Sequence, residues 1–93
     1  MKPLNIYDTV RLTSLIKEAT SKAEDSFTLL SSGDQVIFMP CVFGDVATLK
    51  VYFNLERIET TKADYLNENG ISNASIVRII EELDEKVSEK YNR

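Results

Sequence analysis

Residues 35–58 read QVIFMPCVFGDVATLKVYFNLERI, two apolar runs on either side of Gly44-Asp45. In the second run Ala47, Leu49, Val51, Phe53 and Leu55 alternate with Thr48, Lys50, Tyr52, Asn54 and Glu56. That period of two predicts a strand with one buried face, running from Val46 to about Ile58. The first run does not alternate. Val36, Ile37, Phe38, Met39, Cys41, Val42 and Phe43 carry apolar groups to both faces of a strand starting near Gln35, so both faces need cover. Pro40 donates no ladder hydrogen bond, and a bulge is expected there.

Ser26–Leu30 (SFTLL) reads as a preceding strand, and Ser31-Ser32-Gly33-Asp34 as the turn into the second, with Gly33 taking positive φ. Upstream, Asn5 is placed to cap a helix over about Ile6–Glu24, with Asp8 in its first turn. Its expected buried stripe is Ile6, Val10, Leu15, Ile16, Ala19 and Ala23. Downstream, Thr60 or Thr61 is expected to cap a short helix through 62–67 that stops at Gly70. Ser72 or Asn73 caps a long helix over about Ala74–Tyr91. Ile76, Ile79, Ile80, Leu83 and Val87 form its stripe, and Glu81, Glu82, Asp84, Glu85 and Glu89 face outward. The expectation is an α+β fold: a two-layer sandwich in the order α-β-β-β-(short α)-α, with a three-stranded antiparallel meander. One sheet face meets the helices and the other stays open unless a partner closes it.

The 93 residues suit a single domain spanning the whole chain. The apolar runs fall far short of a membrane span, and no apolar segment follows the N-terminus as in a signal peptide. Cys41 is the single cysteine, which excludes an intramolecular disulfide and thiolate zinc chemistry and suits a reducing, cytoplasmic setting. Enzymatic function is not expected. There is no histidine, Cys41 lacks an activating base, and the three glycines fall at turns rather than in a phosphate loop. No cofactor or metal site is expected either. The acidic residues of the last helix spread over more than one face, as on a solvated helix surface.

With 15 acidic and 11 basic side chains, the net charge of −4 runs against a phosphate-binding surface. It suits a protein partner with a basic surface. The leading expectation is a small regulatory or inhibitory protein acting by protein–protein binding, as a homodimer. Asp64, Glu68, Glu81, Asp84, Glu85 and Glu89 form its acidic partner-binding surface, and Phe38 and Tyr52 an apolar sheet-face interface. Viral anti-restriction and anti-defence proteins, which block a nucleic-acid-binding site by charge mimicry, offer a functional analogy. The alternative rests on residues 65–80, YLNENGISNASIVRII. This stretch resembles a repressor-type helix-turn-helix: a helix, a turn glycine, Ile71 as plug, then a second helix pinned by Ile76 and Ile79. The resemblance implies a DNA-binding transcriptional regulator using residues 62–80, with Ser72, Asn73, Ser75 and Arg78 reading the groove. An ordinary helical hairpin explains the same residues, and the continuation Glu81-Glu82-Leu83-Asp84-Glu85 would repel a phosphate backbone. Double-stranded-RNA-binding domains also run helix, three strands, helix, but their basic signature is replaced here by Asn73-Ala74-Ser75.

Overall fold

The β2–β3 hairpin forms where the alternating pattern places it. A computed structural model describes residues 4–44, 46–58, 63–66 and 70–91, with side chains at all of these except 46 and 63–66. In order, the elements are α1 (Ile6–Lys22), β1 (Ser26–Leu29), β2 (Gln35–Phe43), β3 (Val46–Phe53), β4 (Glu56–Arg57), β5 (Ala63–Leu66) and α2 (Asn73–Tyr91). The chain is an α+β fold, with β1, β2 and β3 in an antiparallel meander.

Four features differ from the sequence expectation. First, β3 ends at Phe53 rather than Ile58. Asn54 and Leu55 both have positive φ (49° and 70°), the geometry of a tight two-residue hairpin turn, and the chain doubles back as β4. Second, the stretch expected as a short helix contains β5, which pairs with β3 from Val46↔Leu66 to Leu49↔Ala63. Thr60 and Thr61, its expected caps, lie outside the described residues. Together β4 and β5 line one edge of β3 as a broken fourth strand, so β3 is interior and the sheet edges are β1 and β4/β5.

Third, β2 carries no bulge at Pro40. Its register with β3 runs unbroken from Val36↔Phe53 to Phe43↔Val46. The Asn54 amide donates to the Gln35 carbonyl and the Leu30 amide to the Asp34 carbonyl. In an antiparallel ladder this alternation turns the backbone polar groups of even-numbered β2 residues toward β1. β1 pairs no further than Ser26↔Phe38, so the missing Pro40 N–H would have met no partner. Proline is tolerated in just such an edge position.

Fourth, the buried stripe of α1 is Asp8, Leu12, Ile16, Ala19 and Thr20, whereas Ile6 and Val10 are 83% and 61% exposed. The helix is turned away from the expected face because Asp8 is used internally. One carboxylate oxygen accepts from the Ser31 amide (3.1 Å) and hydroxyl (2.9 Å), tying the first turn of α1 to the β1–β2 turn. Asn5 caps α1 as expected, accepting from the Asp8 amide at 2.8 Å, and Ala23 in the left-handed region ends it. Ser72 caps α2, accepting from the Ser75 amide.

One core joins the layers. Leu12 and Ile16 of α1, Val36 and Phe38 of β2, Leu49 and Val51 of β3, and Ile79, Leu83 and Val87 of α2 are all fully buried. Burying a side chain of this size contributes about 2 kcal/mol. Both helices therefore cover the same sheet face, and their shared core explains why α2 needs no contact with the sheet's reverse side.

Candidate interaction surfaces

Three surfaces carry side chains that the core does not consume: the outer stripe of α2, the reverse face of the sheet, and a polar clasp at the β1–β2 turn.

On α2 the core stripe is Ile76, Ile79, Leu83 and Val87. Glu81, Glu85 and Glu89 are exposed and follow each other at four-residue spacing, which places them on one side of the helix about 6 Å apart. Asp84 departs from the expected acidic surface. It is half-buried, and one of its oxygens accepts from the Leu4 amide at 3.3 Å, so it fastens the N-terminal segment to α2. Glu89 stands 4.0 Å from Lys86 Nζ in an exposed pair, an interaction of little energetic weight. Asp64 lies in β5, opposite Thr48, on the sheet rather than on a helix beside α2, and Glu68 lies outside the described residues.

The reverse sheet face is set by parity. Val36 and Phe38 point into the core, so Ile37 and Met39 point away from it. Phe38 is fully buried and is therefore not an interface residue; the expected apolar patch is carried by its neighbours instead. Tyr52 does lie on the reverse face. Across the strands Phe27, Ile37, Tyr52 and Arg57 occupy one continuous row by register. Phe27 and Leu29 are each more than half exposed, and Lys50 stands opposite Met39 on the same face. Cys41 shares this face, half-buried and free. Phe43, at the hairpin tip, is 91% exposed.

The clasp went unread in the sequence because its members are far apart in the chain. Asp34 is 2% exposed, yet its carboxylate accepts from Ser32 Oγ (2.7 Å), Asn54 Nδ2 (3.0 Å) and Lys90 Nζ. Tyr91 Oη donates to the Ser32 carbonyl. Burial pushes the Asp34 carboxyl upward, but the hydrogen bonds from Asn54, Lys90 and Ser32 outweigh it and leave it below the usual carboxylate range. The hydrogen bond to Asp34 in turn holds Lys90 above its ordinary value, against a smaller opposing desolvation. Asn54 also accepts from the Gln35 amide, so a single side chain joins the β3–β4 turn, β2 and the clasp. Beside it, an open cleft of about 250 Å³ is lined by Phe53, Asn54, Glu56, Lys86, Glu89 and Lys90. Its lining mixes both charge signs, and the Asp34–Lys90 pair beside it is already satisfied.

The helix-turn-helix resemblance loses its first helix, since 63–66 is a strand. Gly70 does take positive φ (69°), and Ile71 does pack on the core, but they join a strand to a helix. Of the groove-reading candidates, Ser72 is committed to the α2 cap, Ser75 is half-buried with its hydroxyl on Ser72, and Asn73 and Arg78 are exposed. Among the described residues no group of His, Cys, Asp and Glu converges as a metal site, and no helix is long and apolar enough to cross a membrane. Comparison of the chain with protein-family models, with curated proteins and with solved structures returned no match.

Proposed function

We propose that this chain is a small, non-enzymatic regulatory protein of the cytoplasm that acts by binding another protein. The observation that carries the reading is the outer stripe of α2. Glu81, Glu85 and Glu89 are all exposed on a helix whose opposite stripe is locked in the core, so the backbone positions that carry the row are fixed relative to the fold. A row of this kind complements a basic surface, steering encounter and fixing orientation. A nucleic-acid-binding site is one such surface, and occupying it would inhibit it by charge mimicry. Duplex DNA binding through residues 62–80 gains no support from the strand at 63–66 or from the acidic run that follows.

The test uses the full chain as bait in extract of its native host. Wild type is compared with a variant carrying Glu81→Lys, Glu85→Lys and Glu89→Lys, with Asp84 kept because it supports the fold. The expected result is a basic partner, identified by mass spectrometry, that is retained by wild type, released by salt and lost with the variant. Equal retention by the two proteins rejects the reading.

A further inference from the structure

We infer that the reverse face of the sheet is a second docking site, and that its occupant is an acidic amphipathic helix of a protein partner. The face has the two properties a helix-covered sheet face needs. Its centre is apolar: Phe27, Ile37 and Tyr52 lie side by side across β1, β2 and β3, with Met39 adjoining on β2. No element of the chain covers it among the described residues, and Phe27 remains 55% exposed. An exposed apolar patch on a small protein marks an interaction surface more often than not.

Charge identifies the occupant. On a protein of net charge −4, the charged side chains described on this face are both cations: Lys50 opposite Met39, and Arg57 opposite Tyr52. Neither belongs to an ion pair found among the described residues. Asp64 shares this face by register, opposite Thr48 and one same-face position along from Lys50, but two positions from the Phe27–Tyr52 row and from Arg57. Apolar anchors flanked by carboxylates would meet the centre and both cations at once. A second copy packed face to face would bring together two cations from each chain, with a carboxylate position on this face only at Asp64 among the described residues, and like charges across an interface are unfavourable. A helix is the fitting shape because α1 and α2 already cover the opposite face in this way; a third would close the sheet on both sides. The α2 carboxylates belong to the helix layer, so the two docking surfaces lie on opposite sides of the fold. This inference stands independently of the α2 reading.

The experiment titrates the isotope-labelled full chain with two synthetic helical peptides of about 18 residues, or five turns. Both carry one leucine stripe; glutamates flank it in one peptide and lysines in the other. The expected result is binding of the glutamate peptide, with amide shifts concentrated at Phe27, Ile37 and Tyr52. Lys50→Glu with Arg57→Glu should weaken that binding by about tenfold or more, and Lys50→Gln with Arg57→Gln by less. Binding of the lysine peptide with shifts at Glu81, Glu85 and Glu89 instead, and none of the glutamate peptide, overturns the inference. So do failure of both peptides, equal affinity of both for the sheet face, and a sedimenting dimer that protects the same amides.

Discussion

Leu55 has φ near +70° on the β3–β4 turn, a region that costs a residue with a Cβ about 1–2 kcal/mol. Its side chain is 73% exposed, so little packing offsets that cost. Replacing it with glycine converts Asn54-Leu55 to the Asn-Gly pair such turns favour. Leu55→Gly is expected to raise stability by about 1 kcal/mol in urea denaturation, net of glycine's greater unfolded entropy. Asp34 presents the opposite case, a buried residue whose partners decide its role. Its folded pKa lies below the unfolded value of about 3.9, so between the two the unfolded chain binds more protons. Its contribution is complete above that range and is lost as pH falls through the folded pKa. Stability measured from pH about 5 downward should therefore fall more steeply for wild type than for Asp34→Asn, which has no carboxylate to protonate. Neither residue announced its role in the sequence. Leucine is an unusual turn residue, and Lys90 lies 56 positions from Asp34.

At the scale of elements, Pro40 shows how a local rule holds for a different reason than expected. The residue has no N–H to give a ladder, and the chain accommodates it by ending β1 early rather than by bulging β2. Beyond Phe38, this side of β2 pairs with no strand among the described residues, and proline there blunts an edge that would otherwise template pairing. Pro40→Val should leave folding stability within about 1 kcal/mol, because the added N–H faces no paired strand among the described residues. It should raise the rate of self-association, read by light scattering at increasing concentration; an unchanged rate would show that this edge is protected by something else. The α1 stripe and β5 depart from the sequence expectation for a shared cause: each is settled by contacts made elsewhere in the chain. Apolar spacing locates a helix at α1 but not its rotation, because the buried stripe includes two polar residues, Asp8 and Thr20, that a count of apolar side chains leaves out. Residues 63–66 have no strong preference that the spare edge of β3 could not override.

For the whole molecule, the layer arrangement separates two chemistries that composition averages into a single net charge. The acidic α2 stripe belongs to the helix layer, and Lys50 and Arg57 share the reverse sheet face with the apolar row. If the surfaces act independently, the chain reversed at Glu81, Glu85 and Glu89 should still bind the glutamate-flanked peptide with wild-type affinity. The chain reversed at Lys50 and Arg57 should in turn retain the basic partner proposed for the α2 stripe. Distant sites with no shared contacts add in this way.

The sequence by itself determined the α+β class, the β2–β3 hairpin at Gly44, the Asn5 cap, the α2 core stripe and its exposed glutamates. Each of these is written in short-range periodicity or turn chemistry, where neighbours a few residues apart decide the outcome. Only the tertiary structure decided that Phe38 faces the core while Ile37 and Tyr52 face away from it. In an all-apolar strand both parities look alike, and the choice falls to whichever face the helices cover. The same is true of Asp8 and Asp34, buried because Ser31 and Lys90 arrive from elsewhere in the chain to receive them.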